Sequence, residues 1–91
     1  MHDSIAELVK LDGWRAEGAA ARVHYEGAAD RFAVEYYADS DAVLYWSVPD
    51  ETGSSPATPV ARGTVPGPLR ERIRRDLAAA DVDPDAERRS I

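Results

Sequence analysis

Apolar positions along the chain follow two periods. From residue 4 to 14, SIAELVKLDGW places Ile5, Leu8 and Val9 on one stripe, the spacing of a short amphipathic helix. Ser4 and Glu7 have the S-x-x-E spacing of a capping box. Gly13 is placed to end the helix in the left-handed conformation, with Trp14 packing back on Val9 or Leu8. A helix this short needs tertiary packing to persist. From residue 20 the period changes to two. AARVHYE carries Val23 and Tyr25 on one side, RFAVEYYA carries Phe32, Val34 and Tyr36, and AVLYWSV carries Leu44, Trp46 and Val48. The short, turn-rich links EGAAD and ADSD predict an antiparallel meander.

PDETGSSPATP reads as a loop, and VARGTV as a fourth, edge strand entered after Pro59. The helical period returns in PGPLRERIRRDLAAADVDP. Pro68 suits the first helical position, Leu69, Ile73, Leu77 and Ala80 form the buried stripe, and Asp83-Pro84 stops it. The pattern predicts one α+β domain over residues 1–82 with a flexible tail over 83–91. Its layout is two layers: a three- or four-stranded antiparallel sheet with two helices on one face, in the order α-β-β-β-(β)-α.

The expected register follows from loop length. With residues 27–30 as the first loop, Glu26 faces Arg31, His24 faces Ala33 and Arg22 faces Glu35. With residues 39–41 as the second, Tyr37 faces Val43, Glu35 faces Tyr45 and Ala33 faces Ser47. The large apolar side chains then share one side, as a buried face requires. The opposite, uncovered face presents Arg22, His24, Glu35, Tyr37, Val43 and Tyr45, the candidate binding or interface residues. Aromatic residues beside arginine are typical anchors for a protein partner. Ala33, small between polar neighbours, leaves room for a shallow hollow. The bland reading of the same face is solvated sheet with the cross-strand pairs Arg22–Glu35 and Glu26–Arg31.

Charge sharpens this picture. Seventeen acids face eleven bases, a net of −6, and Lys10 is the single lysine. The acidity argues against general nucleic-acid binding, which needs a basic footprint. Residues 1–65 carry the whole excess, with 5 bases against 11 acids, while residues 66–91 carry 6 of each. The run LRERIRR splits into Arg70/Arg74 and Arg72/Arg75 on different sides of its helix, a salt-bridged outer face with Glu71–Arg75 and Arg72–Asp76 pairs. An anion or acidic-partner patch is its alternative reading. With no cysteine there is neither a disulfide framework nor a thiolate metal site. The start, MHDSIAELVK, lacks the look of a signal peptide, and no apolar run approaches bilayer length. A cytoplasmic protein with no membrane association is expected.

Dedicated chemistry is sparse. His24 and Ser47 would share a row two strand spacings apart, about 10 Å, too far for a nucleophile and its base. His24 with Glu26 or Glu35 supplies too few converging ligands for a metal. No G-x-x-x-x-G-K-[ST] or G-x-G-x-x-G occurs, and no cofactor is expected.

The acid-rich, lysine-poor style, with the pieces DSIAELVKLDGW and PGPLRERIRRDLAAADVDP, resembles small uncharacterised proteins of halophilic archaea. That resemblance implies a salt-adapted, cytoplasmic domain of unknown function and transfers no catalytic residue. The sequence reading is a non-enzymatic interaction module that meets a second copy or another protein through the open face. Its alternative is a small-molecule or enzymatic site around His24.

Overall fold

The computed structural model describes residues 3–27, 31–49 and 57–89. Helix α1 spans Asp3–Leu8 and buries Ile5 and Leu8. Ser4 lies inside its first turn, so the expected capping box does not form; Glu7 pairs with Lys10 instead, at 3.0 Å. Gly13 takes φ +86 as expected, the chain reverses, and Trp14 is buried. The Trp14 indole donates to Asp76 Oδ2 at 3.0 Å, which ties the first reversal to the second helix.

Among the described residues five antiparallel strands follow in sequence order: β1 Arg15–Glu17, β2 Ala20–Glu26, β3 Arg31–Tyr37, β4 Ala42–Ser47 and β5 Thr58–Val60. β1 is an addition to the expected sheet. It has only three residues, all exposed, and so no apolar alternation to announce it. A two-residue turn with Gly18 at φ +59 returns it to β2. The outer strand arrives earlier than expected: Thr58–Val60 forms β5, with Pro59 inside it, and Arg62–Thr64 is a 3-10 turn. Most of the expected loop, residues 50–56, lies outside the described residues.

The register between β2 and β3 is the expected one, with Arg22 opposite Glu35, His24 opposite Ala33 and Glu26 opposite Arg31. Between β3 and β4 it is displaced by one residue. Tyr37 pairs with Ala42, Tyr36 with Val43, Glu35 with Leu44, Val34 with Tyr45 and Ala33 with Trp46. The cause is the turn. It uses the four residues 38–41, and Asp41 adopts φ +49. The Asp41 carboxylate accepts from the Tyr36 hydroxyl at 2.8 Å and from Arg89 Nη1 at 2.6 Å, which holds it in the turn and out of the strand. One extra turn residue exchanges the two faces of β4. Val43 and Tyr45 are buried in the core; Leu44 and Trp46 look out from the open face, only partly covered.

Helix α2 spans Gly67–Ala79, with Pro66 at its cap and Pro68 in the first turn. Leu69, Ile73, Leu77 and Ala80 are buried as the stripe predicts. The helix ends in a Schellman arrangement around Asp81 at φ +61. The Val82 amide donates to Leu77 O at 2.8 Å and the Asp81 amide to Ala78 O at 3.1 Å. Both helices contribute to the one core built on the inward sheet residues Val23, Val34, Tyr36 and Tyr45. The α+β class stands, with a five-stranded sheet.

Residues 83–89 do not trail off as a tail. Pro84–Arg88 forms a 3-10 turn, opened by the Asp83 carboxylate accepting from the Asp85 amide. Ala86 and Glu87 are buried, and the Val43 amide donates to Arg89 O at 3.1 Å. The segment stays because a buried carboxylate anchors it, a feature invisible to hydropathy.

The shifted register makes a direct prediction. Val43→Ala is expected to cost about 2 kcal/mol, as loss of buried aliphatic groups does, whereas Leu44→Ala costs less than about 1 kcal/mol. Urea denaturation of the two variants checks this; the register expected from loop length reverses the order.

Candidate functional site

The outer side of the sheet is a grid whose columns are strands. One row holds Arg15, Arg22, Glu35 and Leu44, and the next holds His24, Ala33, Trp46 and Pro59. A third holds Glu17, Ala20, Tyr37 and Ala42, with Glu26 and Arg31 at the far end. Four of the six sequence candidates, Arg22, His24, Glu35 and Tyr37, therefore do share this face. Val43 and Tyr45 do not; each is 2% exposed and points into the core. Leu44, Trp46 and Pro59 take their place.

Arg22 reaches Glu17 at 3.7 Å, and Arg31 reaches Glu26 at 4.0 Å. Glu35 accepts from the Tyr37 hydroxyl at 3.1 Å, and burial together with that carboxylate raises the Tyr37 pKa. Two donors, Arg22 Nε and Trp46 Nε1, are shielded from water and have no acceptor among the described residues. An orphaned buried donor costs about 1–3 kcal/mol, so each invites a partner. Ala33 is fully buried beneath this layer, which closes the hollow expected above it.

His24 is exposed and faces Ala33 across the strand pair. Ser47, on the other side of β4, pairs with Phe32 and Thr58, so His24 and Ser47 point to opposite faces. Among the described residues no three His, Asp or Glu side chains converge as metal ligands, and no helix is long and apolar enough to cross a membrane.

A family model matches residues 5–89. The chain belongs to DUF7538, a family of unknown function. No curated protein and no solved structure matches it. Function in this DUF7538 chain must be argued from its own side chains.

Its second polar constellation lies on the inner side of the sheet, between β4 and α2. The Glu87 carboxylate is 1% exposed. It accepts from Arg62 Nε at 2.7 Å, Arg62 Nη2 at 3.0 Å, Arg74 Nη1 at 2.6 Å and the Tyr45 hydroxyl at 2.8 Å. Burial alone would push this carboxyl up, but hydrogen bonds from Arg62, Tyr45 and Arg74 outweigh it and hold Glu87 below its ordinary range. Burial and the same carboxylate push the Tyr45 phenol up. Nearby, burial and then Asp41 push Tyr36 up to about 12. A small cleft borders the cluster, lined by Val43, Tyr45, Val60, Arg62, Glu87, Arg88 and Arg89. Arg62, Arg74 and Tyr45 all spend donors on Glu87, so the cluster reads as a lock on the fold and not as a reaction centre. Nothing in DAERRSI singles out Glu87, because one acid among charged residues reads as solvated surface.

The helical arginines are spent likewise. Arg72 pairs with Asp76 at 3.6 Å as expected. Arg75 pairs with Asp76 at 3.8 Å in place of Glu71. Arg70 donates to Arg62 O at 3.5 Å.

Glu87→Gln is expected to destabilise the fold by about 3 kcal/mol at pH 7. This is the low end for a broken buried pair, because both arginines keep contact with water. The depressed carboxyl contributes stability that is present above the unfolded value near 4.5 and is lost as pH falls through the folded value. Urea titrations at pH 7, 5 and 3 should show a steep acid loss in the wild type and a shallower one in Glu87→Gln.

Proposed function

We propose that this domain is a non-enzymatic interaction module and that the open face of its sheet is where a protein partner docks. One observation carries the reading: the fold buries a tyrosine at 45 and turns Trp46 and Leu44 outward. Burial preference alone would make the opposite choice. Places where a sequence obeys the local pattern yet breaks the burial rule are where function is expected. A half-covered indole and a tyrosine beside arginine also match the residues that dominate interface energetics. The two shielded donors, Arg22 Nε and Trp46 Nε1, are groups a partner can satisfy.

His24 contributes to this surface without a catalytic role. It is exposed and faces Ala33 across the strand pair. The setting we propose is cytoplasmic and salty. Its support is the net charge of −6 and the ratio of ten arginines to one lysine. At molar salt the Debye length is about 3 Å, so long-range steering fades and apolar contact dominates.

The test is amide NMR of the chain in molar KCl during titration with extract from its source cells. Changes are expected at Arg22, Tyr37, Leu44 and Trp46. They should vanish in a Leu44→Asp/Trp46→Ser chain whose stability stays within about 1 kcal/mol of wild type. Changes confined to the outer side of α2, or none at all, would reject the open face.

A further inference from the structure

We infer that the occupant of the open face is a second copy of this chain, packed sheet on sheet about a two-fold axis close to Leu44 and Trp46. The inference rests on the reading of that face as an interaction surface, and adds the partner. Its first support is charge. The face holds three arginines, Arg15, Arg22 and Arg31, and three glutamates, Glu17, Glu26 and Glu35, so it is neutral. Among the described residues the whole acidic excess, eleven acids against eight bases, therefore lies off this face. Two copies repel through their other surfaces. This is the face through which they can meet without opposing like fields.

The second support is layout. The charged residues lie mainly on β1 and β2, and the apolar ones, Ala42, Leu44, Trp46 and Pro59, on β4 and β5. A two-fold axis crossing the strands at right angles, between Leu44 and Trp46, lays β4 on β4 so that the apolar halves meet, and stacks the charged β1–β2 halves on each other at the margin, an apolar centre with a polar rim. The dimensions agree. Strands of six and seven residues run about 20 Å, and five strands span about 19 Å, so a second sheet of equal size matches the patch edge to edge.

Third, Arg15 and Arg22 stand directly opposite one another on β1 and β2, a repulsive cross-strand pair. Among the described residues Arg22 has one ion-pair contact, at 3.7 Å to Glu17, and its Nε has no acceptor. A second copy brings the same three carboxylates to the rim, where such a cation can use them.

Salt gives the inference its signature. Copies of charge −6 repel at low ionic strength, and molar KCl removes that repulsion while leaving apolar contact intact. Self-association should therefore tighten with salt, whereas a partner held by charge would loosen.

The deciding experiment is sedimentation equilibrium of the full chain in 0.1 M and 2 M KCl, on wild type and Leu44→Asp. Cysteine cross-linking accompanies it: the chain has no cysteine, so a Leu44→Cys disulfide can form only between copies. The expected result is a monomer–dimer equilibrium that tightens at least tenfold in high salt and weakens at least tenfold in Leu44→Asp. Leu44→Cys should cross-link rapidly, and a Glu71→Cys control on α2 should not. A dimer indifferent to Leu44→Asp would overturn the inference, since another surface then carries it. A monomer at every concentration would overturn it too. If Leu44→Asp still abolished the NMR response to extract, the open face would keep its role with a different protein. If that response were also absent, both readings would fall together.

Discussion

The fold hangs on one buried carboxylate. Glu87 gathers Arg62 from the turn after β5, Arg74 from α2 and Tyr45 from β4, and fastens the C-terminal segment to all three. Taking a carboxylate out of water costs several kcal/mol, and only full hydrogen bonding offsets it. Four donors do so here, three of them from guanidinium groups. The consequence runs outward through β4. Tyr45 must face inward to reach Glu87, so its neighbours Leu44 and Trp46 must face outward. The buried acid and the half-exposed indole are two ends of one constraint.

A second tether reinforces it. Asp41 accepts from Tyr36 and Arg89, and Arg89 also reaches Asp83 at 3.0 Å. The turn that sets the β3–β4 register is thus clamped to the same C-terminal segment that carries Glu87. Register, tail and face polarity are settled together.

The sequence made the alternating strands, both helical stripes, the left-handed Gly13 and the β2–β3 register legible, because each rests on a local pattern. It concealed what depends on contacts distant in the chain. AVLYW is apolar at every position, so periodicity could not choose its inner face, and only the turn length could. That length depends on Asp41 being held by Arg89, a residue 48 positions away. Glu87 was hidden for the same reason: its partners lie at 45, 62 and 74. Of the site, Arg22, His24, Glu35 and Tyr37 were readable. Trp46 and Leu44 carry the pattern of core residues, because large apolar residues are normally inside.

Pro59 has a consequence for assembly. It occupies the middle of the three-residue outer strand and offers no N–H there. At the other margin β1 is equally short and carries Arg15 and Glu17. Neither border is a template on which a foreign strand can lengthen the ladder. Growth by lateral strand addition is therefore closed off, and any association through the flat side ends at a finite stoichiometry instead of running on into a fibre.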